Sequence, residues 1–186
     1  ASRGIGAAIR TRFEHEDTRI FAVASKDFDL SVEQGAGALW DAALAALDGR
    51  IDVLINNAGV ALGALAEHVT PADFHWIMDT NFWGVAHGTQ AFMPHLRRAG
   101  QGHIVNCSSL FGLLAVPMQA SYNASKFAVR GYTESLRQEL DIARCGVSAT
   151  CVHPGGVRTP IVQAARMDAG LATQLGVDVG ALRGRF

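Results

Sequence analysis

Three side chains in the second half of the sequence have the types and spacing of a proton-transfer site. Tyr122 and Lys126 are four positions apart, which on a helix places them on one face, and Ser109 precedes Tyr122 at the end of an apolar run. An ammonium near a phenol favours the phenolate. Lys126 is therefore expected to lower the pKa of Tyr122 from its reference of about 10 towards the working range of a general acid or base. The hydroxyl of Ser109 can hydrogen-bond the same substrate oxygen, fixing its orientation and stabilising charge as it develops. A lone Tyr/Lys pair on a helix commonly marks a solvated face; the serine at the preceding strand end distinguishes this one.

Three further segments can hold a ligand. Ser2-Arg3-Gly4-Ile5-Gly6 leads into a helical pattern, and glycines there let the backbone approach a pyrophosphate that sits on the free N–H groups of the helix start. Asn56-Asn57-Ala58-Gly59 follows an apolar run; small and amide residues leave room for a flat ring and supply hydrogen bonds. Pro154-Gly155-Gly156-Val157-Arg158-Thr159 is a kinked loop able to close over a bound ring. Each alone reads equally well as an ordinary turn. Their joint occurrence with Ser109, each at a strand end, is what turns do not explain, because ligands of open parallel sheets bind outside the carboxyl ends of the strands.

The elements that must position these residues alternate. Helices are expected from Gly6 to near Glu16, from Val32 to Leu47, from Pro71 to Arg98 and from Ser121 to Arg144. Strands are expected at Ile20–Ala24, Asp52–Ile55, His103–Cys107 and Val147–Val152. That order predicts an α/β fold with a doubly wound, mostly parallel, Rossmann-like sheet in one domain spanning residues 1–186. Gly49, Gly100, Gly102 and Gly146 fall between a helix and the next strand, where a left-handed cap is needed. After Pro160 the pattern loosens, with one short helix at most.

Composition narrows the function classes. With 49% hydrophobic and 18% charged residues the chain has enough apolar material for a core. A net charge of −1 offers no electrostatic footprint for nucleic acid or an acidic membrane, so neither is an expected partner. Three cysteines without a CxxC pair argue against a disulfide framework and a thiolate metal site, and seven histidines show no metal-ligand spacing. No Gly-x-Ser-x-Gly nucleophile elbow is present. No apolar run approaches the roughly 18–20 residues that span a bilayer, and a cytoplasmic location is the expectation.

Taken in order, Gly-Ile-Gly, Asn-Asn-Ala-Gly, the Asn-Phe-Trp-Gly segment at Asn81, Ile-Val-Asn-Cys-Ser-Ser, Tyr-Asn-Ala-Ser-Lys and Pro-Gly-Gly-Val-Arg-Thr resemble the motif set of the short, single-domain members of the short-chain dehydrogenase/reductase superfamily. The resemblance implies reversible hydride transfer between NADP(H) or NAD(H) and a secondary alcohol or ketone. It implies a catalytic tetrad of Asn81, Ser109, Tyr122 and Lys126, with Asn81 holding a water that links Lys126 to solvent and Lys126 also binding the nicotinamide ribose. It places Ser2, Arg3, Gly4, Ile5 and Gly6 against the cofactor phosphates, Asn57, Ala58 and Gly59 along the adenosine side, and Pro154, Gly155, Val157 and Thr159 around the nicotinamide. Asp29 and Leu30 resemble the acid and apolar residue that contact adenine. Arg3 and Lys26 resemble the basic residues used for a 2′-phosphate, favouring NADP over NAD, while Asp27 beside Lys26 argues the other way. Members of the family usually assemble as homodimers or homotetramers through the two long helices, here Pro71–Arg98 and Ser121–Arg144.

The chain departs from that pattern in three places. A strand and a Thr-Gly that normally open the glycine motif are absent, the interval between Gly6 and Asn56 is short, and the family's last strand is not reached. The expectation is a fragment, incomplete at both ends and lacking residues between about Asp27 and Phe28. Leu110, Phe111, Leu113, Met118 and Trp83 suggest an apolar substrate face. Alternatives are a sugar-nucleotide epimerase or dehydratase, which shares the Tyr/Lys pair but carries a sizeable C-terminal substrate domain, and a non-catalytic cofactor-binding protein of the same fold, which retention of the whole tetrad opposes.

Overall fold

The computed structural model describes residues 2–14, 18–24, 26–168 and 170–171. Its elements in chain order are α1 (Gly4–Glu14), α2 (Glu33–Ala46), β1 (Val53–Asn56), β2 (Leu62–Gly63), α3 (Pro71–Met78), a π-helical turn (Asp79–Trp83), α4 (Gly84–Ala99), β3 (Gly102–Cys107), α5 (Ala120–Ala143), β4 (Val147–Val152) and β5 (Arg166–Met167), with short 3₁₀ turns at Ala66–His68 and Leu110–Gly112. Strands β1, β3 and β4 form a parallel sheet in that order. Leu54, Ile104 and Ala149 are register partners and therefore share a face. Against that face pack Leu39 and Ala43 of α2, Phe92 and Leu96 of α4, and Leu136 and Leu140 of α5. This is an α/β fold with an open parallel sheet flanked by helices.

The periodic segments fold as their patterns require. Thr70 opens α3 with a capping pair: its Oγ1 accepts from Asp73 N at 3.1 Å and donates to Asp73 Oδ2 at 2.9 Å, with Pro71 in the first turn where a missing N–H is harmless. Gly100 closes α4 in the left-handed region at φ 68°. The last long helix is capped differently from expectation. Arg144, not Gly146, takes the left-handed cap at φ 48°, and Gly146 turns the chain at φ 73° against the Gly100 carbonyl, where a Cβ would collide.

Three expectations are corrected. The run Ile20–Ala24 joins no ladder, because a strand needs a paired neighbour and the ladder of β1 among the described residues is to β3. Phe21 and Val23 pack their side chains against the core, and Arg19 ties the run to the end of α2 through Asp48 Oδ2 (2.7 Å) and Ala46 O (3.0 Å). The helix Pro71–Arg98 is interrupted by the π-helical turn. The segment after Pro160 is not patternless: Arg166 and Met167 pair in parallel with Leu62 and Gly63. Glu16, proposed as the end of the first helix, lies outside the described residues, as do residues 172–186.

Candidate active site

Four elements converge on Lys126. It projects from α5 and is 3% exposed, and its Nζ donates to the Cys107 carbonyl at the end of β3 at 3.1 Å. Asn81 is fully buried in the middle of the π-helical turn. Such turns widen the helix by one residue and recur at functional sites. The Asn81 amide is clamped: Oδ1 accepts from Val60 N at 2.8 Å, and Nδ2 donates to Val60 O and to Ser125 Oγ, both at 3.0 Å. Gly59 completes the corner, since a Cβ built there would stand 3.3 Å from Asn81 Oδ1 and 3.4 Å from Lys126 Nζ. A side chain there would crowd the Asn81 amide, so that main chain, amide and ammonium share one small volume.

Tyr122 lies one helical turn before Lys126, with Nζ 5.7 Å from the centre of the phenol ring. The ring is buried and meets Phe111 edge-on at 6.4 Å. Ser109 Oγ accepts from Phe111 N at 3.2 Å, and its side chain stands beside the phenol and draws the phenol's pKa down. Asn81, Ser109, Tyr122 and Lys126, expected together, thus come together.

The direction of the phenol's shift is a correction. Burial pushes the Tyr122 phenol above its ordinary value, and the Ser109 hydrogen bond works against that rise without reversing it. The expected lowering presupposes a fully charged ammonium, but burial brings Lys126 down to about 8, opposed only by the nearby thiols of Cys107 and Cys151. Both groups are desolvated, so burial disfavours charge on either. The Asn81 side chain is committed to Val60 and Ser125, which leaves one Oδ1 lone pair.

Behind the site runs a polar chain in which Asn56, expected in a ligand-holding segment, is turned to a structural partner. Asn56 and Asn106 are register partners at the ends of β1 and β3, and Asn56 Nδ2 donates to Asn106 Oδ1 at 2.9 Å. Asn56 Nδ2 also reaches Thr89 Oγ1 on α4 at 3.3 Å, and Asn106 Nδ2 donates to Thr133 Oγ1 on α5 at 3.0 Å. Gly88 makes room for the Asn56 amide, since a Cβ there would meet Asn56 Oδ1 at 2.7 Å. All four polar residues are buried, so the chain fixes helix to strand to strand to helix where Gly59 and Ser109 emerge. An amide inside an apolar buried strand was the available signal. Asn106→Leu is expected to strip Asn56 and Thr133 of a partner each and cost about 1–3 kcal/mol of stability in chemical denaturation; an unchanged midpoint would show that the chain does not hold the strand ends.

The remaining expected ligand residues form a second group. Gly4, at the start of α1, faces the loop after β4: a Cβ on it would lie 3.5 Å from Thr159 Cβ. Residues of α1 from Gly4 to Phe13 and the run Val157-Arg158-Thr159 line an open cleft of ≈ 400 Å³. Gly155 packs against Leu110, and Leu110 N donates to Pro154 O at 2.8 Å, which joins this loop to the Ser109 strand end. Gly6 is buried, whereas Ser2 and Arg3 are exposed. Ile5 lines the cleft, and Ala58 is exposed between the half-buried Asn57 and Gly59.

Lys26 stands exposed in a turn whose Asp27 carboxylate accepts from Ala24 N at 2.8 Å. Asp29 turns its carboxylate onto Ser31, bonding N at 3.0 Å and Oγ at 2.6 Å, while Leu30 lies against Gly84 and its carbonyl is 3.3 Å from His87 Nδ1. Neither Lys26 nor Asp29 touches the tetrad among the described contacts. Of the expected apolar face, Met118 lines a small apolar cavity of ≈ 50 Å³ with Leu62, Gly63, Pro117, Val162 and Met167, and Leu110, Leu113 and Trp83 are partly exposed.

Comparison with known proteins agrees with this geometry. The family model described as short chain dehydrogenase matches residues 23–170. A putative oxidoreductase, SadH, of Mycobacterium tuberculosis is 47% identical over 148 residues, covering 80% of this chain and 53% of that protein. A short-chain dehydrogenase/reductase from Burkholderia phymatum in complex with NAD superposes with a TM-score of 0.74 at 35% identity, covering 85% of this chain and 55% of that one. A gluconate 5-dehydrogenase from Burkholderia cenocepacia in complex with NADP and tartrate gives 0.68 at 35% identity, covering 80% and 57%. The chain spans about half the length of SadH and of these two solved structures.

Proposed function

The chain belongs to the short-chain dehydrogenase family, and from that premise we propose that it carries the catalytic core for reversible hydride transfer between a nicotinamide dinucleotide and a secondary alcohol or its ketone. The observation that carries this reading is the buried Tyr122 phenol with the buried Lys126 Nζ 5.7 Å from its ring centre and Ser109 beside it. The phenol and the serine hydroxyl are placed to engage one substrate oxygen. In the reducing direction Tyr122 gives its proton to that oxygen as Ser109 holds it; in the oxidising direction Tyr122 takes the proton back. Lys126 sits behind the phenol and, through the volume bounded by Gly59 and Asn81 Oδ1, connects to the lone pair that can hold a water.

The residues present fit the cofactor. Gly59 leaves a floor without a side chain, and an ammonium with three donors makes one hydrogen bond among the described residues, leaving donors for a ribose diol. Gly4, Ile5 and Gly6 offer first-turn N–H groups to phosphate, with Ser2 and Arg3 beside them, and Pro154, Gly155, Val157 and Thr159 form the opposing loop. When bound, the nicotinamide supplies or receives the hydride. NADP is preferred over NAD: Arg3 and Lys26 are exposed cations, and Asp27, the competing carboxylate, is tied into its own turn. The partner is a small carbonyl or alcohol with an apolar body, matching the Met118 cavity and Phe111. Phe74 and Phe127, exposed on α3 and α5, fit the assembly of the full protein as a homodimer or homotetramer.

The test is the full-length protein assayed at the reduced-nicotinamide absorbance band with each cofactor against steroid, sugar and acyl-type ketones. Oxidation of NADPH faster than NADH, with an apolar ketone, is expected. A flat trace with both cofactors across the panel would overturn the reading, and an NADH preference would overturn the cofactor assignment alone.

A further inference from the structure

We propose that His153 is a positioning residue for Ser109, joining the serine wall of the slot to the loop that begins at Pro154; this rests on the reading of Ser109 given above. Past the ends of β3 and β4 the hydrogen bonds among the described residues run from one side: Ser108 N donates to Val152 O and Leu110 N to Pro154 O, both at 2.8 Å. Pro154 has no N–H to return a bond. The half-buried imidazole of His153 makes a cross-link there, with Nδ1 3.0 Å from the Ser109 carbonyl oxygen. A carbonyl only accepts, so Nδ1 carries the proton and donates.

That bond holds a particular peptide. Ser109 is extended, at φ −164° and ψ 165°, and its side chain must meet the Tyr122 phenol while accepting from Phe111 N. The carbonyl is the handle that sets the peptide plane following Ser109. His153 grips it from the position just before the loop whose Gly155 packs on Leu110. One side chain thus spaces the hydroxyl and the loop, which are proposed to act on the same bound pair. Deleting the grip would let Ser109 drift relative to the phenol.

The experiment compares His153→Leu, His153→Asn and His153→Gln in the full-length protein. An Asn amide nitrogen falls close to where Nδ1 lies, whereas a Gln amide reaches the Nε2 position. His153→Leu is expected to lower kcat by about 10- to 100-fold with little change in the cofactor KM, the scale of an ångström-level misplacement. His153→Asn restores most of the loss and His153→Gln does not. Should the Leu variant fail to fold, the Asn and Gln pair alone decides.

Wild-type kcat in His153→Leu, equal kcat in the Asn and Gln variants, or a loss confined to KM would each overturn the proposal. Tyr122→Phe is assayed alongside. Normal turnover in it removes the underlying reading, whereas lost turnover in it with wild-type turnover in His153→Leu removes this inference alone.

Discussion

Tyr122→Phe is expected to lower turnover of the full-length protein by about 10²- to 10⁴-fold, the range that a positioned proton donor contributes, while folding and cofactor binding stay close to wild type. The substitution removes one oxygen and leaves the ring. That ring keeps its buried place and its edge-on contact with Phe111, so the core loses no volume. Ser109 Oγ loses the phenol but still accepts from Phe111 N, and no buried acceptor is stranded without a donor. A thermal melt and a cofactor fluorescence titration establish that the protein is intact; steady-state kcat then reports the missing proton. Unchanged kcat would take Tyr122 out of the mechanism.

The second large effect is expected at Lys126. Lys126→Met should cut kcat by about 10²-fold or more, because a charge aimed at the reacting centre from a water-poor site is lost, and it should at the same time raise stability. A buried lysine held at about 8 disfavours its charged form by about 3 kcal/mol relative to an exposed one, by the conversion of pKa difference to free energy. Methionine fills a similar volume without that cost. The lost hydrogen bond to Cys107 O offsets part of the gain.

The pH dependence gives this prediction its sign. The folded-state pKa lies below that of an unfolded lysine, so between about pH 8 and the ordinary lysine range the unfolded chain binds the extra proton. This group's contribution to stability therefore rises with pH across that window and is flat below it. Denaturant midpoints measured without cofactor should show the rise in wild type relative to Lys126→Met. Parallel profiles for the two proteins would mean that Lys126 is not desolvated, and the argument from burial would fail.

Much of the architecture was legible because it is written in local pattern. The strand Val147–Val152 appears with the boundaries read from its apolar run, and α2, β1, β3 and α5 differ from expectation by a residue or so at their ends. Periodicity reports which face of an element is buried, and a single core face had to satisfy α2, α4 and α5 together. The juxtaposition of the candidate site residues was legible for a related reason. Tyr122 and Lys126 are set by helical spacing alone, and Ser109 is set by the end of a strand whose sheet position the alternation already implied.

What escaped was carried by contacts between residues far apart in the chain. The Ile20–Ala24 run has strand composition, yet composition does not create a pairing partner. Leu62–Gly63 and Arg166–Met167 look like loop, yet they pair across more than a hundred positions, with the Met167 sulfur lying where a Cβ on Gly63 would stand. The shift of the Tyr122 phenol follows how much water is removed from it and from Lys126, a property of the packed ensemble of α5, β3 and the π-helical turn.

The amino-acid order by itself therefore determined most element types, the parallel α/β arrangement and the helical spacing that sets Tyr122 and Lys126 on one face, since these depend on side-chain chemistry and on periods of two and 3.6 residues. Tertiary structure alone decided that Asn56 meets Asn106, that His153 reaches the Ser109 carbonyl and that burial raises the phenol. Desolvation and hydrogen-bond geometry exist only once distant segments have been packed into one dry volume.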